Sequence, residues 1–117
     1  MQRDQRINYV ELPARDLDAV QAFYEAAFGW RFVDYGPDYR AFSDGAFDGG
    51  FRRADATSRS ADGAALVVLY ADDLEATRER VLACGGSLVQ DIFAFPGGRR
   101  FHFADPNGNE LAIWSEA

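Results

Sequence analysis

Hydrophobic and polar positions follow the same order twice along the chain. An apolar run suited to a strand, Ile7 to Leu12, leads to Asp16-Leu17 and then to Leu17, Val20, Phe23 (or Tyr24) and Ala27. Apolar residues three to four apart form the buried stripe of an amphipathic helix. A second run, Leu66 to Tyr70, leads to Asp73-Leu74 and then to Leu74, Thr77, Val81 and Cys84. Asp16 and Asp73 are well placed to accept from the first free N–H groups of these helices. Gly29 and Gly85-Gly86 should stop them, since glycine takes the left-handed C-terminal position cheaply. Short β-rich segments complete each half: Trp30–Tyr35, Tyr39–Phe42 and Phe47–Arg52, then Ser87–Phe93, Arg100–Phe103 and Glu110–Trp114. Turn residues separate them at Gly36-Pro37, Asp44-Gly45, Pro96-Gly97-Gly98 and Asp105–Gly108.

The two halves are a repeat. At an offset of 57 residues, eight of the 20 positions from Val10 to Gly29 are identical, among them Asp16/Asp73, Leu17/Leu74 and Gly29/Gly86. Each half therefore reads βαβββ, with half-modules at about 6–53 and 64–116. The linker, 54–63, is small and polar. Neither half could bury a sheet face and a helix alone. The expectation is one α+β domain over 1–117 whose halves share a curved, mostly antiparallel sheet that forms a trough.

Composition narrows the function classes. The 117 residues are 48% hydrophobic and 15% aromatic, which excludes a disordered or fibrous chain. No apolar run approaches the roughly 20 residues of a membrane span, so no membrane partner is expected. Twelve basic residues, all arginine, against 19 acidic ones give a net charge of −7. Such a chain repels a phosphate backbone, which argues against a nucleic-acid partner. A neutral or cationic small molecule, or a partner protein, fits better. The polar N-terminus and the single Cys84 point to a cytoplasmic setting.

Several segments together resemble the vicinal oxygen chelate superfamily of glyoxalases, bleomycin-resistance proteins and extradiol dioxygenases. They are Val10-Glu11-Leu12 before Asp16-Leu17, Ala22-Phe23-Tyr24 before Phe28-Gly29-Trp30, and the Asp105–Asn109 turn before Leu111–Trp114. The resemblance implies a glyoxalase-like fold and metal ligands on cavity-facing strand positions. Carried over, these positions are Tyr9, one near Gly49 or Gly50, Leu66 and Ala112. Leu, Gly and Ala supply no donor to a divalent metal, so the reading favours no metal and no cofactor, with a divalent metal at the Glu11, His102 and Glu110 cluster as the unfavoured alternative. The resemblance also implies a homodimer.

Two candidate constellations remain. Tyr9 and Glu11 share a strand face, as do Glu110, Ala112 and Trp114, and as do Arg100, His102 and Ala104. Glu11, His102 and Glu110 are therefore candidate catalytic residues, a carboxylate–imidazole–carboxylate cluster with His102 as proton carrier. The competing reading pairs the glutamates with Arg99 and Arg100 and leaves His102 at a pocket rim. The second constellation is aromatic. Tyr9, Trp30, Tyr39, Phe47, Phe51, Tyr70, Phe93 and Trp114, with Arg100, are candidate ligand-binding residues, although aromatics also build cores and interfaces. Asp105–Asn109 reads as a structural turn. The favoured function is binding or sequestration of a small aromatic or cationic compound. The alternative is a lyase, isomerase, epimerase or dioxygenase of the superfamily.

Overall fold

The computed structural model describes residues 2–117. Two compact units divide at Ala56/Thr57, and each carries one copy of the repeat. The first contains β1 (Tyr9–Ala14), α1 (Leu17–Phe28), β2 (Arg31–Asp34), β3 (Tyr39–Ser43) and β4 (Asp48–Arg53). After a single turn of 3-10 helix at Ser60–Asp62, the second contains β5 (Val67–Tyr70), α2 (Leu74–Ala83), β6 (Ser87–Phe95), β7 (Gly98–Ala104) and β8 (Glu110–Ser115).

Each unit closes a four-stranded sheet of its own, in the order β1-β4-β3-β2 and β5-β8-β7-β6. This corrects the expectation of a single shared sheet. The first strand of each half pairs in parallel with the last strand of the same half, Leu12 opposite Phe51 and Leu69 opposite Ile113. The other neighbours are antiparallel, so each sheet is mixed and mostly antiparallel. The βαβββ order explains why: the helix carries the chain back across the sheet, and the last strand then returns beside the first.

Both helices begin where the sequence places them. Asp16 accepts from the Ala19 N–H at 3.1 Å and Asp73 from the Ala76 N–H at 3.0 Å. Gly29 ends α1 with φ of 70°, in the left-handed region. Each helix covers one face of its own sheet. Val20, Phe23 and Tyr24 of α1 pack on Leu12, Trp30, Phe42 and Phe51, and under α2 lie Phe101, Phe103, Leu111 and Ile113, all buried. The opposite faces carry the alternate residues of each strand.

The linker is not the inert connector that its composition suggests. Its second half is hydrogen-bonded to the turn after β7. The Ser58 N–H donates to Asn109 Oδ1 at 2.9 Å, the Glu110 N–H to the Ser58 carbonyl at 2.8 Å, and the Ser60 N–H to Glu110 Oε1 at 3.1 Å. Asp105 Oδ1 accepts from the backbone N–H of Asn107 and of Asn109, which closes the turn. Asn109 is fully buried. Asn109→Ala strands the Ser58 N–H and should cost about 1–3 kcal/mol. Asp16→Ala removes an exposed cap and should cost about 1 kcal/mol. Denaturant midpoints of the two variants should fall in that order.

Candidate functional site

The open face of the first sheet forms a concavity. β1 presents Tyr9 and Glu11 there, β2 presents Arg31 and Val33, β3 presents Tyr39 and Ala41, and β4 presents Asp48 and Gly50, because alternate strand residues share a face. The cavity measures about 590 Å³ and is lined mainly by apolar and aromatic groups, with Arg31 and Asp48 as its charged ones. Tyr35, just past β2, adds a ring that is 68% exposed.

At one side of this face three side chains form a relay. The Tyr9 and Tyr39 hydroxyls lie 2.6 Å apart, and the Tyr39 hydroxyl donates to Glu11 Oε2 at 3.0 Å. Tyr39 has one proton, which goes to Glu11, so Tyr9 donates to Tyr39. Burial, the bond with Tyr9 and the bond to Glu11 all push the Tyr39 phenol well above its ordinary pKa. It stays protonated throughout the physiological range. Arg52 stands 3.8 Å from Glu11.

Gly50 makes this packing possible. A Cβ there would overlap the Tyr39 hydroxyl and crowd that of Tyr9. Its neighbour Gly49 does the same on the helix side, where a Cβ would overlap the Phe42 ring.

The second sheet has its own cluster on the face away from α2. His102 Nδ1 lies 2.8 Å from Glu110 Oε2, and both residues are 7% exposed. Burial raises the pKa of the Glu110 carboxyl. The bonds from His102 and the Ser60 N–H outweigh that, and the carboxyl is held below its ordinary range. As an ionised acceptor, Glu110 fixes the proton of a neutral His102 on Nδ1. Phe93 packs against the His102 ring at 5.9 Å and under the Arg100 guanidinium at 5.3 Å. Phe95 continues the row, 5.7 Å from Arg100 and 6.1 Å from Trp114, which meets Tyr70 edge-on at 5.0 Å.

The sequence-derived candidates thus divide. Tyr9, Tyr39 and Glu11 come together in the first unit. His102, Glu110, Arg100, Phe93, Trp114 and Tyr70 come together in the second. Trp30 and Phe51 require correction as ligand-binding residues, since both lie in the core beneath α1. Trp30 is stacked between Tyr24 and Phe42 at 4.6 Å from each, and Phe51 is fully buried against Tyr24 and Phe42. Phe47 sits in the turn between β3 and β4, outside the residues that line the cavity. The expected pairing of the glutamates with Arg99 and Arg100 also fails: Arg99 holds Glu75 and Arg100 lies over Phe93. Arg31, Val33 and Asp48 were missed, although the alternation of β2 and the turn residues before β4 carried the signal for them.

The four strand positions where the resemblance implies metal ligands are Tyr9, Gly49 or Gly50, Leu66 and Ala112. Tyr9 is engaged with Tyr39, and the others carry no donor atom. Among the described residues no three His, Cys, Asp or Glu side chains gather as a metal would need. These four positions do not by themselves supply the ligands of a metal ion.

Known structures share the fold. A glyoxalase-related enzyme from Fulvimarina pelagi aligns with TM-score 0.78 at 22% identity, over 95% of this chain and 88% of its own. A lactoylglutathione lyase from Agrobacterium tumefaciens aligns with TM-score 0.73 at 24% identity, over 97% and 96%. The fosfomycin resistance protein FosX from Mesorhizobium loti aligns with TM-score 0.75 at 17% identity, over 99% and 95%. No curated protein sequence matches the chain. These likenesses correct one expectation. The structures that share the fold include a lactoylglutathione lyase and FosX, so the expectation of a chain without a cofactor is set aside. The family model described as Glyoxalase/Bleomycin resistance protein/Dioxygenase superfamily matches residues 6–113, nearly the whole repeat. The chain belongs to the glyoxalase/bleomycin resistance protein/dioxygenase superfamily.

Proposed function

We propose that this protein binds a small aromatic or cationic compound on the open face of its first sheet. The observation that carries the reading is the cavity of about 590 Å³. That volume is within the roughly 300–1,000 Å³ of small-molecule sites. Exposed rings of Tyr9 and Tyr35 offer stacking surfaces, and their faces attract cations. Asp48 supplies a carboxylate at the cavity wall, while the Tyr9–Tyr39–Glu11 relay gives a fixed polar edge. The two repeats act as one domain in a reducing, cytoplasmic setting. Two copies associate as a symmetric dimer, which covers exposed apolar side chains such as Val68 and Val89.

A second reading draws support from the 2.8 Å contact between His102 and Glu110. It makes the protein a superfamily enzyme in which His102 moves a proton and Glu110 orients its ring. His102→Asn would then cost on the order of 10²–10⁴ in rate.

Three outcomes are expected. Isothermal titration of a panel of aromatic amines and quaternary ammonium compounds should find saturable ligands whose affinity falls at least about tenfold in Gly50→Ala, because the relay must move. Tyr39→Phe keeps the ring and loses the hydroxyl, so affinity should fall about two- to tenfold. A panel without ligands, or variants that bind as the parent does, would overturn the cavity as the site. Light scattering should give twice the 13.0 kDa chain mass, and a monomer at all concentrations would refute the dimer.

A further inference from the structure

Two buried nitrogens on β7 lack partners. His102 Nε2 and Arg100 Nε are both shielded from solvent, and neither makes a hydrogen bond. They lie two residues apart on one face of the strand, and both side chains rest against Phe93. Buried polar groups in folded proteins are almost always satisfied. Two orphans against one ring therefore call for a missing group.

The chemistry of the two nitrogens specifies that group. Glu110 accepts from Nδ1, so the free Nε2 of a neutral His102 carries a lone pair and needs a donor. Arg100 Nε carries a hydrogen and needs an acceptor. An acidic hydroxyl meets both demands. Arg100 forms no ion pair among the described residues, although the chain is strongly acidic. Phe93 and Phe95 supply a flat apolar wall beside it.

We propose that the second unit carries a binding site for an aromatic weak acid, with His102 Nε2 as proton acceptor and Arg100 as partner of the resulting oxyanion. On binding, the ligand O–H bond breaks and an Nε2–H bond forms, while the electron pair stays on the ligand oxygen. The imidazolium then stands between the Glu110 carboxylate and the ligand anion. The ionisable groups facing the ring are Glu110 on β8, Arg100 on β7, and Arg59 acting through Glu110. The neighbours of His102 across β6 and β8, Gln90 and Ala112, do not ionise. This inference goes beyond the proposed function and does not depend on the first-unit cavity.

The test uses 4-nitrophenol, whose phenol and phenolate forms differ in visible absorption, and 4-nitroanisole, which has no proton to give. The full chain has one histidine, so its ring ¹⁵N resonances are assigned without ambiguity. At fixed pH, 4-nitrophenol should bind saturably and at least about tenfold more tightly than 4-nitroanisole. Its phenolate band should grow in step with a shift of both ring nitrogens to imidazolium positions. Arg100→Met keeps the stem over Phe93 and should weaken binding about tenfold or more. Equal affinity for the two probes, no saturable binding, or ring resonances that stay unmoved at saturation would each overturn the inference. These three readouts need no variant, so a misfolded Arg100→Met leaves the test intact. A compound that saturates the first-unit cavity with the histidine unmoved counts for the proposed function and against this site.

Discussion

The first unit depends on two missing side chains. Gly49 and Gly50 are adjacent on β4, the strand that lies between β1 and β3, and consecutive strand residues face opposite sides. On the helix side the absence of a Cβ lets Phe42 lie close to the strand, where it stacks on Trp30 and so reaches Tyr24. On the open side it lets Tyr39 and Tyr9 bring their hydroxyls over the backbone and within reach of Glu11. One dipeptide thus permits both the aromatic core and the polar edge of the cavity. Glycine in a strand interior is otherwise unfavourable, through lost entropy and lost packing, and here it is offset by the rings that fill its space.

The second unit solves the same geometry with different chemistry. Its sheet has the same strand order and the same capped helix, yet its face away from α2 carries Glu110, Ala112 and Trp114 beside Arg100 and His102. Glu110 is the hinge of that arrangement. One oxygen holds the histidine and the other holds the backbone of the linker at Ser60. A buried carboxylate is costly unless its lone pairs are taken, and both of its oxygens are engaged. The alternation along β8, with Glu110 and Trp114 on one face and Leu111 and Ile113 on the other, is what lets one strand serve core and site together.

Much of this was legible in the residues. The repeat at an offset of 57, the helix-capping aspartates, and the helix-ending glycine after α1 all reappear in the structure where the pattern puts them. The alternation of Arg100, His102 and Ala104 with Phe101 and Phe103 was read correctly too, because a fully apolar face must point at the helix. These features are local: each follows from propensity, periodicity or a turn within a few residues.

What the sequence alone determined, then, is the element order, the two helices with their caps, and which face of each strand is apolar, since spacing and side-chain chemistry suffice for these. Only tertiary structure decided which strands would pair. That choice made two sheets in place of one, and it brought β1 beside β4 and β5 beside β8. It also separated aromatics that look alike in sequence, sending Trp30 and Phe51 to the core while Tyr9 and Tyr39 went to the cavity. The partner of His102 was settled the same way, through the register that sets Glu110 opposite Ala104 on the neighbouring strand. Pairing depends on residues far apart along the chain, and periodicity fixes which face of a strand is buried without naming the strand beside it.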